Sequence, residues 1–182
     1  MFLYFRNINS KIRSNVYHYY FSSSMYNYIS RCTIGVNRHN HFIPIFSDPT
    51  GPCMEGWTVL TALMARVPRL RGGTLVTGNS YRHPALLANI AATLDVISGG
   101  RVEMGIGAGW WEMEYSAYGF DFPHVSERIY AMEEALQVMQ ALWTEERANF
   151  DGRFYTITDA LCEPKPVQKP HIPIWVGGAG LQ

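Results

Sequence analysis

Acidic residues are absent from the first part of the chain: no aspartate or glutamate precedes Asp48, and no alanine precedes Ala62. Six of the 11 tyrosines lie within residues 1–30, among many serines and asparagines. A basic, serine-rich segment without acids is typical of an organellar presequence, but presequences form amphipathic helices and this composition disfavours them. A structured extension would show a period of 2 or 3.6, and neither is present. The third alternative is a segment foreign to the domain.

We therefore place a boundary after residue 32. Residues 1–32 are interpreted as an atypical segment, either disordered or not native to the domain, and residues 33–182 as the functional domain. Hydrophobic residues make up 47% of the chain, which is enough for a packed core.

Cysteine, net charge and long apolar runs are also scarce. The cysteines Cys32, Cys53 and Cys162 form no CxxC motif, which favours a reduced, cytoplasmic protein over a disulfide scaffold or a zinc site. The formal net charge of 0 gives no electrostatic reason to expect binding to nucleic acid or to an anionic membrane. No apolar run approaches the roughly 18–20 residues of a membrane span.

From residue 33 onward, short β-rich runs alternate with segments of helical periodicity. Strands are predicted at 32–36, 73–78, 101–107 and 172–180, helices at 54–66, 84–97 and 126–146, and a proline-stiffened connector at 163–173. Strands that alternate with helices indicate an α/β fold with a parallel sheet. In such sheets the chemistry lies in the loops that follow the strands. The segment 108–125 is predicted to be one long loop.

Each predicted helix has an apolar face. The three faces consist of Trp57, Leu60, Met64 and Val67; of Leu86, Leu87, Ile90, Ala91, Leu94 and Ile97; and of Ile129, Met132, Leu136, Met139 and Trp143. Pro84 and the Ser98-Gly99-Gly100 run are start and stop signals of the second helix. Arg82 and His83 are interpreted as the beginning of that helix, although Arg82 could instead approach a phosphate. The acidic residues of the third helix are assigned to its solvated face: Glu127, Glu133, Glu134, Glu145 and Glu146.

The run VEMGIGAGWW places glycines at 105, 107 and 109, directly after a predicted strand. A dinucleotide-binding loop has the spacing G-x-G-x-x-G and opens into a helix. Here the spacing is G-x-G-x-G, Trp110 and Trp111 follow, and the next predicted helix begins only near Ser126. The pattern therefore disfavours a dinucleotide site.

Four stretches together resemble the bacterial luciferase-like flavin and deazaflavin oxidoreductases, over about residues 36–182. They are DPTGPCMEGWTVLTALMA, GTLVTGNSYRHPALLANIAATLDVISGGRVEMGIGAGWWEMEYSAYGFDFP, ERIYAMEEALQVMQALWTEE and CEPKPVQKPHIPIWVGGAG. The greatest similarity is to the branch that depends on the deazaflavin coenzyme F-420. The resemblance implies a (β/α)8 TIM barrel of which this chain holds about strands 2–5. We therefore expect a fragment that is either marginally stable alone or completed by a second copy or a complementing chain.

The resemblance implies that His41 is catalytic, as a proton donor or hydrogen-bonding group beside the cofactor ring. The resemblance also places Asn40 against the cofactor. Asn40 stands where the family commonly has an aspartate, so a carboxylate that could orient the imidazole is missing there. His39 and His41 lack a third ligand at suitable spacing, so no metal site is expected.

The remaining site residues are implied at the ends of the next three strands. Leu75 and Val76 would be joined by a cis peptide bond behind the ring, and Thr77 and Asn79 would contact its pyrimidine edge. Gly107, Ala108 and Gly109 would leave space for the ring and its ribityl chain. Gly177, Gly178 and Ala179 would bind the cofactor phosphate. Trp110 and Trp111 would wall an apolar substrate pocket, and Trp110 replaces a glutamate of the family's sugar-phosphate dehydrogenases.

The resulting hypothesis is an oxidoreductase that transfers a hydride between the deazaflavin coenzyme F-420 and an unknown small organic molecule. The first alternative is an FMN-dependent monooxygenase of the same fold that uses molecular oxygen. The second is a truncated or chimaeric product without catalytic activity.

Overall fold

The computed structural model describes residues 40–45 and 47–178. The predicted strand at 32–36, His39 and Ala179 lie outside these residues. The helices are α1 (Gly56–Arg66), α2 (Pro84–Ser98), α3 (Glu112–Tyr118) and α4 (Val125–Thr144). The strands are β1 (Gly72–Gly73), β2 (Thr77–Gly78), β3 (Val102–Gly107), β4 (Ala148–Asp151), β5 (Thr156–Ala160) and β6 (Ile174–Gly177).

Strand β3 lies at the centre of a parallel sheet. β1 and β2 pair with one side of it, at Gly72 opposite Val102 and at Thr77 opposite Ile106. β6 pairs with the other side, with Gly177 opposite Gly107. The parallel sheet predicted from the alternation of strands and helices is confirmed, and the carboxyl ends of β2, β3 and β6 meet at one edge.

The predicted strand at 73–78 is divided into β1 and β2. Between them, the hydroxyl of Thr74 donates to the carbonyl of Gly105 at 2.9 Å. A Cβ atom at Gly105 would overlap the carbonyl oxygen of Thr74, so glycine is required there for the two strands to approach. The peptide bond between Leu75 and Val76 is cis, as the resemblance implied.

Helix α2 has the bounds that its terminal residues predict. Pro84 occupies the first turn, and Gly99 ends the helix in the left-handed conformation, with φ of 67°. The ring nitrogen Nδ1 of His83 accepts the N–H of Ala85 at 3.2 Å, which confirms that His83 begins the helix.

The predicted apolar face of α2 is partly wrong. Leu86 and Ile97 are 56% and 48% exposed, whereas Leu87 and the alanines at 88, 91 and 92 are buried. The small alanine side chains let α4 pack closely, and Nε1 of Trp143 donates to the carbonyl of Ala88 at 3.0 Å. The buried face of α2 is therefore determined by close packing against α4, and hydrophobicity alone does not predict it.

The other two predicted faces hold for all but one position each. Val67 is 38% exposed because it lies at the C-terminal cap of α1, and Ile129 is only partly buried. The buried members of these faces join the single core cluster beside the sheet: Trp57, Leu60, Met64, Met132, Leu136, Met139 and Trp143.

The prediction of one long loop at 108–125 is wrong, because α3 lies within it. This helix has seven residues and ends at Gly119, whose φ is 73°. Two turns are too short to show a helical period in the sequence. Glu112 and Glu114 in its first turn suit the positive end of the helix dipole.

An antiparallel hairpin of β4 and β5 follows α4, and the sequence reading missed it. The carboxylate of Glu134 on α4 accepts the backbone N–H groups of Arg153, Phe154 and Tyr155, at 2.8, 2.8 and 3.1 Å. Glu134 therefore anchors the hairpin, which corrects its assignment to the solvated surface. The predicted extended connector at 163–173 is confirmed: it contains no helix or strand.

Candidate functional site

Residues 40–43 lie against α3, at the edge where the parallel strands end. The ring nitrogen Nδ1 of His41 is 2.6 Å from Oε2 of Glu114. Glu114 is fully buried, and the His41 side chain is 10% exposed. The sequence reading gave Glu114 no role. The carboxylate that was thought missing because Asn40 replaces an aspartate is therefore supplied by helix α3.

Glu114 receives three further hydrogen bonds. The backbone N–H of Phe42 donates to Oε1 at 2.6 Å and that of Ile43 at 3.4 Å. The hydroxyl of Tyr81 donates to Oε2. Burial raises the pKa of Tyr81, and the hydrogen bond to Glu114 raises it further, so the phenol stays protonated at physiological pH. One buried carboxylate on α3 thus connects residues 41–43 with Tyr81, which follows β2.

Aromatic rings surround this centre. The imidazole of His41 contacts Trp110 and Trp111 edge to face, with ring centroids 5.9 and 5.6 Å apart. The two indoles stack at 5.9 Å with an interplanar angle of 14°. Trp110 is 57% exposed, an unusual exposure for so large an apolar side chain. The structure thus brings both predicted pocket residues to His41.

Asn40 lies in a different cluster, where its side chain contacts Glu55 and Arg82. In the amide orientation that satisfies both groups, Oδ1 of Asn40 accepts a hydrogen bond from Nη1 of Arg82 at 2.8 Å. Its Nδ2 donates to Oε1 of Glu55 at 3.2 Å. Arg82 and Glu55 form an ion pair at 2.6 Å. Burial would raise the pKa of Glu55, but hydrogen bonds from Thr58 and Trp57 and the charge of Arg82 hold it below its ordinary 4.5. Asn40 is 3% exposed and fixes the fold here.

Thr77 is also bound within the protein. Its hydroxyl accepts the indole N–H of Trp57 at 3.0 Å and donates to the hydroxyl of Thr74 at 2.9 Å. The residue is fully buried. Its side chain therefore stabilises the end of β2.

The side-chain oxygen of Asn79 is a buried hydrogen-bond acceptor that receives no donor from the described residues. Its Nδ2 donates to the hydroxyl of Tyr155, on the hairpin, at 3.1 Å. Its Oδ1 has no hydrogen-bond partner among the residues that the structure describes. Leaving such an atom unpaired costs about 1–3 kcal/mol, which a suitable ligand donor would recover.

The glycines after β3 and β6 are explained first by neighbouring side chains. A Cβ atom at Gly107 would lie 2.9 Å from Cγ2 of Val76, and one at Gly177 would lie 2.8 Å from Cγ1 of the same valine. Val76 therefore packs across two strands whose small residues make room for it. Ala108 is partly buried against the core, Gly178 is exposed with nothing within 4 Å of an added Cβ atom, and Leu75 is partly buried.

Gly109 makes room for an aromatic residue of α3. Its φ is 84°, and a Cβ atom there would lie 2.9 Å from Cζ of Tyr115 and closer still to the hydroxyl. Tyr115 is fully buried, and burial raises the pKa of its phenol. The ring of Tyr115 is therefore a sufficient reason for glycine at position 109.

Within residues 40–45 and 47–178, no three histidine, cysteine or acidic side chains are grouped as metal ligands would be. None of the helices in this part of the chain is long and apolar enough to cross a membrane.

The fold is that of a known class. Residues 36–182 match the luciferase-like monooxygenase family, and the chain belongs to this family. A solved F420-dependent secondary alcohol dehydrogenase, in complex with an F420-acetone adduct, is similar with a TM-score of 0.66 and 28% identity, over 75% of this chain and 41% of that chain. The predicted family and the predicted partial (β/α)8 barrel are confirmed.

Two curated relatives differ in cofactor. An F420-dependent glucose-6-phosphate dehydrogenase from Microbacterium testaceum (strain StLB037) is 37% identical over 122 residues, which are 66% of this chain and 35% of the relative. An FMNH2-dependent dimethylsulfone monooxygenase from Pseudomonas putida is 33% identical over 125 residues, 69% of this chain and 34% of the relative. The chain spans about a third of the length of either relative. The family thus includes F420-dependent and FMN-dependent oxidoreductases and monooxygenases.

Proposed function

We propose that this chain is part of an oxidoreductase that transfers a hydride between a bound deazaflavin, coenzyme F-420, and a small organic substrate. The observation that carries the proposal is the imidazole of His41, held 2.6 Å from the buried carboxylate of Glu114 at the edge where the strands end. A hydride that leaves an alcohol carbon must be accompanied by loss of the hydroxyl proton. An imidazole is suited to take that proton up near neutral pH.

The described residues fit such a cofactor at Asn79. The pyrimidine edge of a deazaflavin carries an N–H donor, and Oδ1 of Asn79 is a buried acceptor without a partner in the described chain. Gly177 and Gly178 would hold the phosphate through their backbone N–H groups, together with Ala179. When bound, the deazaflavin accepts or gives up the hydride.

The protein's own residues would then perform three tasks. His41 takes up the substrate proton at Nε2, because its Nδ1 faces Glu114. Trp110 and Trp111 present apolar rings beside that imidazole and orient a substrate of low polarity. Val76, packed across Gly107 and Gly177, supports the cofactor side of the sheet.

An FMN-dependent monooxygenase is the second candidate. The relative from Pseudomonas putida that supports it is 33% identical over 125 residues, against 37% over 122 residues for the F420-dependent dehydrogenase. FMN carries the same N–H donor on its pyrimidine edge, so Asn79 serves both candidates. The two candidates are distinguished by which of the two cofactors the chain binds.

The test is a fluorescence titration of the purified chain with coenzyme F-420 and with FMN, alongside circular dichroism and light scattering. Selective binding of F-420 supports the proposal, and selective binding of FMN overturns it in favour of the second candidate. A folded chain that binds neither overturns both. Asn79→Ala should weaken the affinity for the bound cofactor by roughly tenfold, which corresponds to one lost hydrogen bond. Light scattering reports whether a second copy completes the site, as we propose for the active form.

A further inference from the structure

The carboxylate of Glu114 receives two kinds of donor, one kind on each oxygen. Oε1 accepts backbone N–H groups, from Phe42 at 2.6 Å and Ile43 at 3.4 Å. Oε2 faces side chains, Nδ1 of His41 at 2.6 Å and the hydroxyl of Tyr81. A backbone N–H is a donor under all conditions, whereas an imidazole nitrogen is a donor or an acceptor according to the tautomer. Glu114 can therefore influence the position of a hydrogen through Oε2 but not through Oε1.

We propose that Glu114 is a positioning residue that holds His41 in the tautomer with its hydrogen on Nδ1. The proposal deepens, and rests on, the proposed role of His41 in proton transfer. An ionised carboxylate only accepts hydrogen bonds, so an imidazole nitrogen 2.6 Å from it must carry the hydrogen. The neutral ring then has its lone pair on Nε2, where the substrate proton is taken up. In the other tautomer Nε2 would carry a hydrogen and could not act as a base.

The geometry also determines what Glu114→Gln does. The glutamine side chain has one acceptor oxygen and one NH2 group. Its oxygen must occupy the Oε1 position, because the two backbone N–H groups there can only donate. Its NH2 group then faces Nδ1 of His41, which has to become an acceptor. We expect the tautomer of His41 to invert, with the hydrogen moved to Nε2.

The experiment is a long-range ¹H–¹⁵N correlation spectrum of the full chain labelled with ¹⁵N-histidine, without cofactor, at an alkaline pH where the imidazole is neutral. The chain has 6 histidines, and the signals of His41 are those lost in His41→Gln. The wild-type protein should show Nδ1 protonated and Nε2 unprotonated. Glu114→Gln should show the reverse.

Two variants separate the tautomer effect from a general loss of structure. Glu112→Gln makes the same change of charge on the same helix, at an exposed position, and should leave the tautomer unchanged. Tyr81→Phe removes the second side-chain donor to Oε2 but keeps the carboxylate, so His41 should keep its hydrogen on Nδ1. If Glu114→Gln does not fold, the tautomers of His41 in the wild type and in Tyr81→Phe still test the proposal.

Three results would overturn the proposal: a wild-type His41 with its hydrogen on Nε2, an unchanged tautomer in a folded Glu114→Gln, or inversion in Tyr81→Phe. The proposed function fails separately, in the cofactor titration. A chain that binds neither cofactor but has the expected tautomers would refute that function and leave the assignment of Glu114 as the group that orients His41.

Discussion

The Nδ1 atom of His41 and the Oε2 atom of Glu114 lie 2.6 Å apart, although the two residues are 73 positions apart in the chain. His41 lies in the segment before α1, and Glu114 lies on α3, after β3. The parallel strands of the sheet end at one edge, and the two residues meet there. The pair is therefore a product of the fold, and its chemistry can be tested residue by residue.

The imidazole of His41 should be needed for turnover and not for cofactor binding. His41→Gln should lower the steady-state rate of hydride transfer by about 10²-fold or more, as expected for loss of a general base. The affinity for the cofactor should change by less than about threefold, since no binding role is proposed for the ring. His124→Asn is the control, because His124 only caps α4 at an exposed position and asparagine is also a good cap. A rate for His41→Gln within about twofold of the wild type would contradict the proposed role.

Gly109→Ala should be more destabilising than Gly99→Ala. Both glycines have positive φ, 84° and 67°, so each substitution incurs the cost of the left-handed region, about 1–2 kcal/mol. Only at Gly109 does the added Cβ atom also meet Tyr115, which should add at least about 1 kcal/mol. Urea denaturation of both variants measures the difference. In a Tyr115→Phe background the excess cost of Gly109→Ala should shrink, and an unchanged excess would exclude the hydroxyl as its cause.

Two adjacent leucines on α2 should differ widely in their contribution to stability. Leu87 is fully buried and Leu86 is 56% exposed. Leu87→Ala should lower the free energy of unfolding by about 2–5 kcal/mol, through lost burial and a cavity. Leu86→Ala should change it by less than about 0.5 kcal/mol. Equal effects in chemical denaturation would mean that the helix presents a different face to the core.

The stability supplied by Glu134 should depend on pH. Partial burial would raise its pKa, but the N–H groups of Phe154, Arg153 and Tyr155 together with the charge of Arg153 lower the pKa below its ordinary 4.5. A lowered pKa in the folded state means that the contribution is present above the unfolded pKa and lost as the pH falls through the folded one. Glu134→Gln should therefore destabilise the chain at neutral pH, and less at pH about 3.

Urea titrations of the wild type and Glu134→Gln at both pH values measure this difference. Glu133→Gln, with the same change of charge at an exposed neighbouring position, should show little effect at either pH. A stability difference for Glu134→Gln that is as large in acid as at neutral pH would show that the N–H contacts do not depend on the charge.

Local signals explain which parts of the fold could be predicted. Pro84 and Gly99 define α2 through their own backbone preferences, and the spacing of Met132, Leu136 and Met139 defines α4. Helix α3 could not be predicted, because seven residues with two buried side chains carry no readable period. The exposed Leu86 was misplaced for another reason: apolar periodicity ignores how closely a neighbouring helix packs.

The site residues divide in the same way. His41, Trp110 and Trp111 were singled out through the resemblance to the family, and the structure brings their three rings together. The resemblance implies cofactor contacts for Asn40 and Thr77, and these stay predictions. In the structure, Asn40 contacts Glu55 and Arg82, and Thr77 accepts a hydrogen bond from Trp57. Glu114 was missed because its role depends on donors from other loops. The local signal in the sequence was an acidic residue within the aromatic run WWEMEY.

Four donors from two other segments, at Phe42, Ile43, His41 and Tyr81, all end on the carboxylate of Glu114. Each segment thereby depends on the others for its hydrogen bonds. Replacing either donor segment alone, in evolution or in engineering, would remove hydrogen bonds from Glu114. A replacement segment must therefore bring its own donor to the same carboxylate. Sequence diversity at this edge should therefore be inherited as matched sets of loops, with free variation confined to side chains such as Trp110 that make no hydrogen bond to the acid.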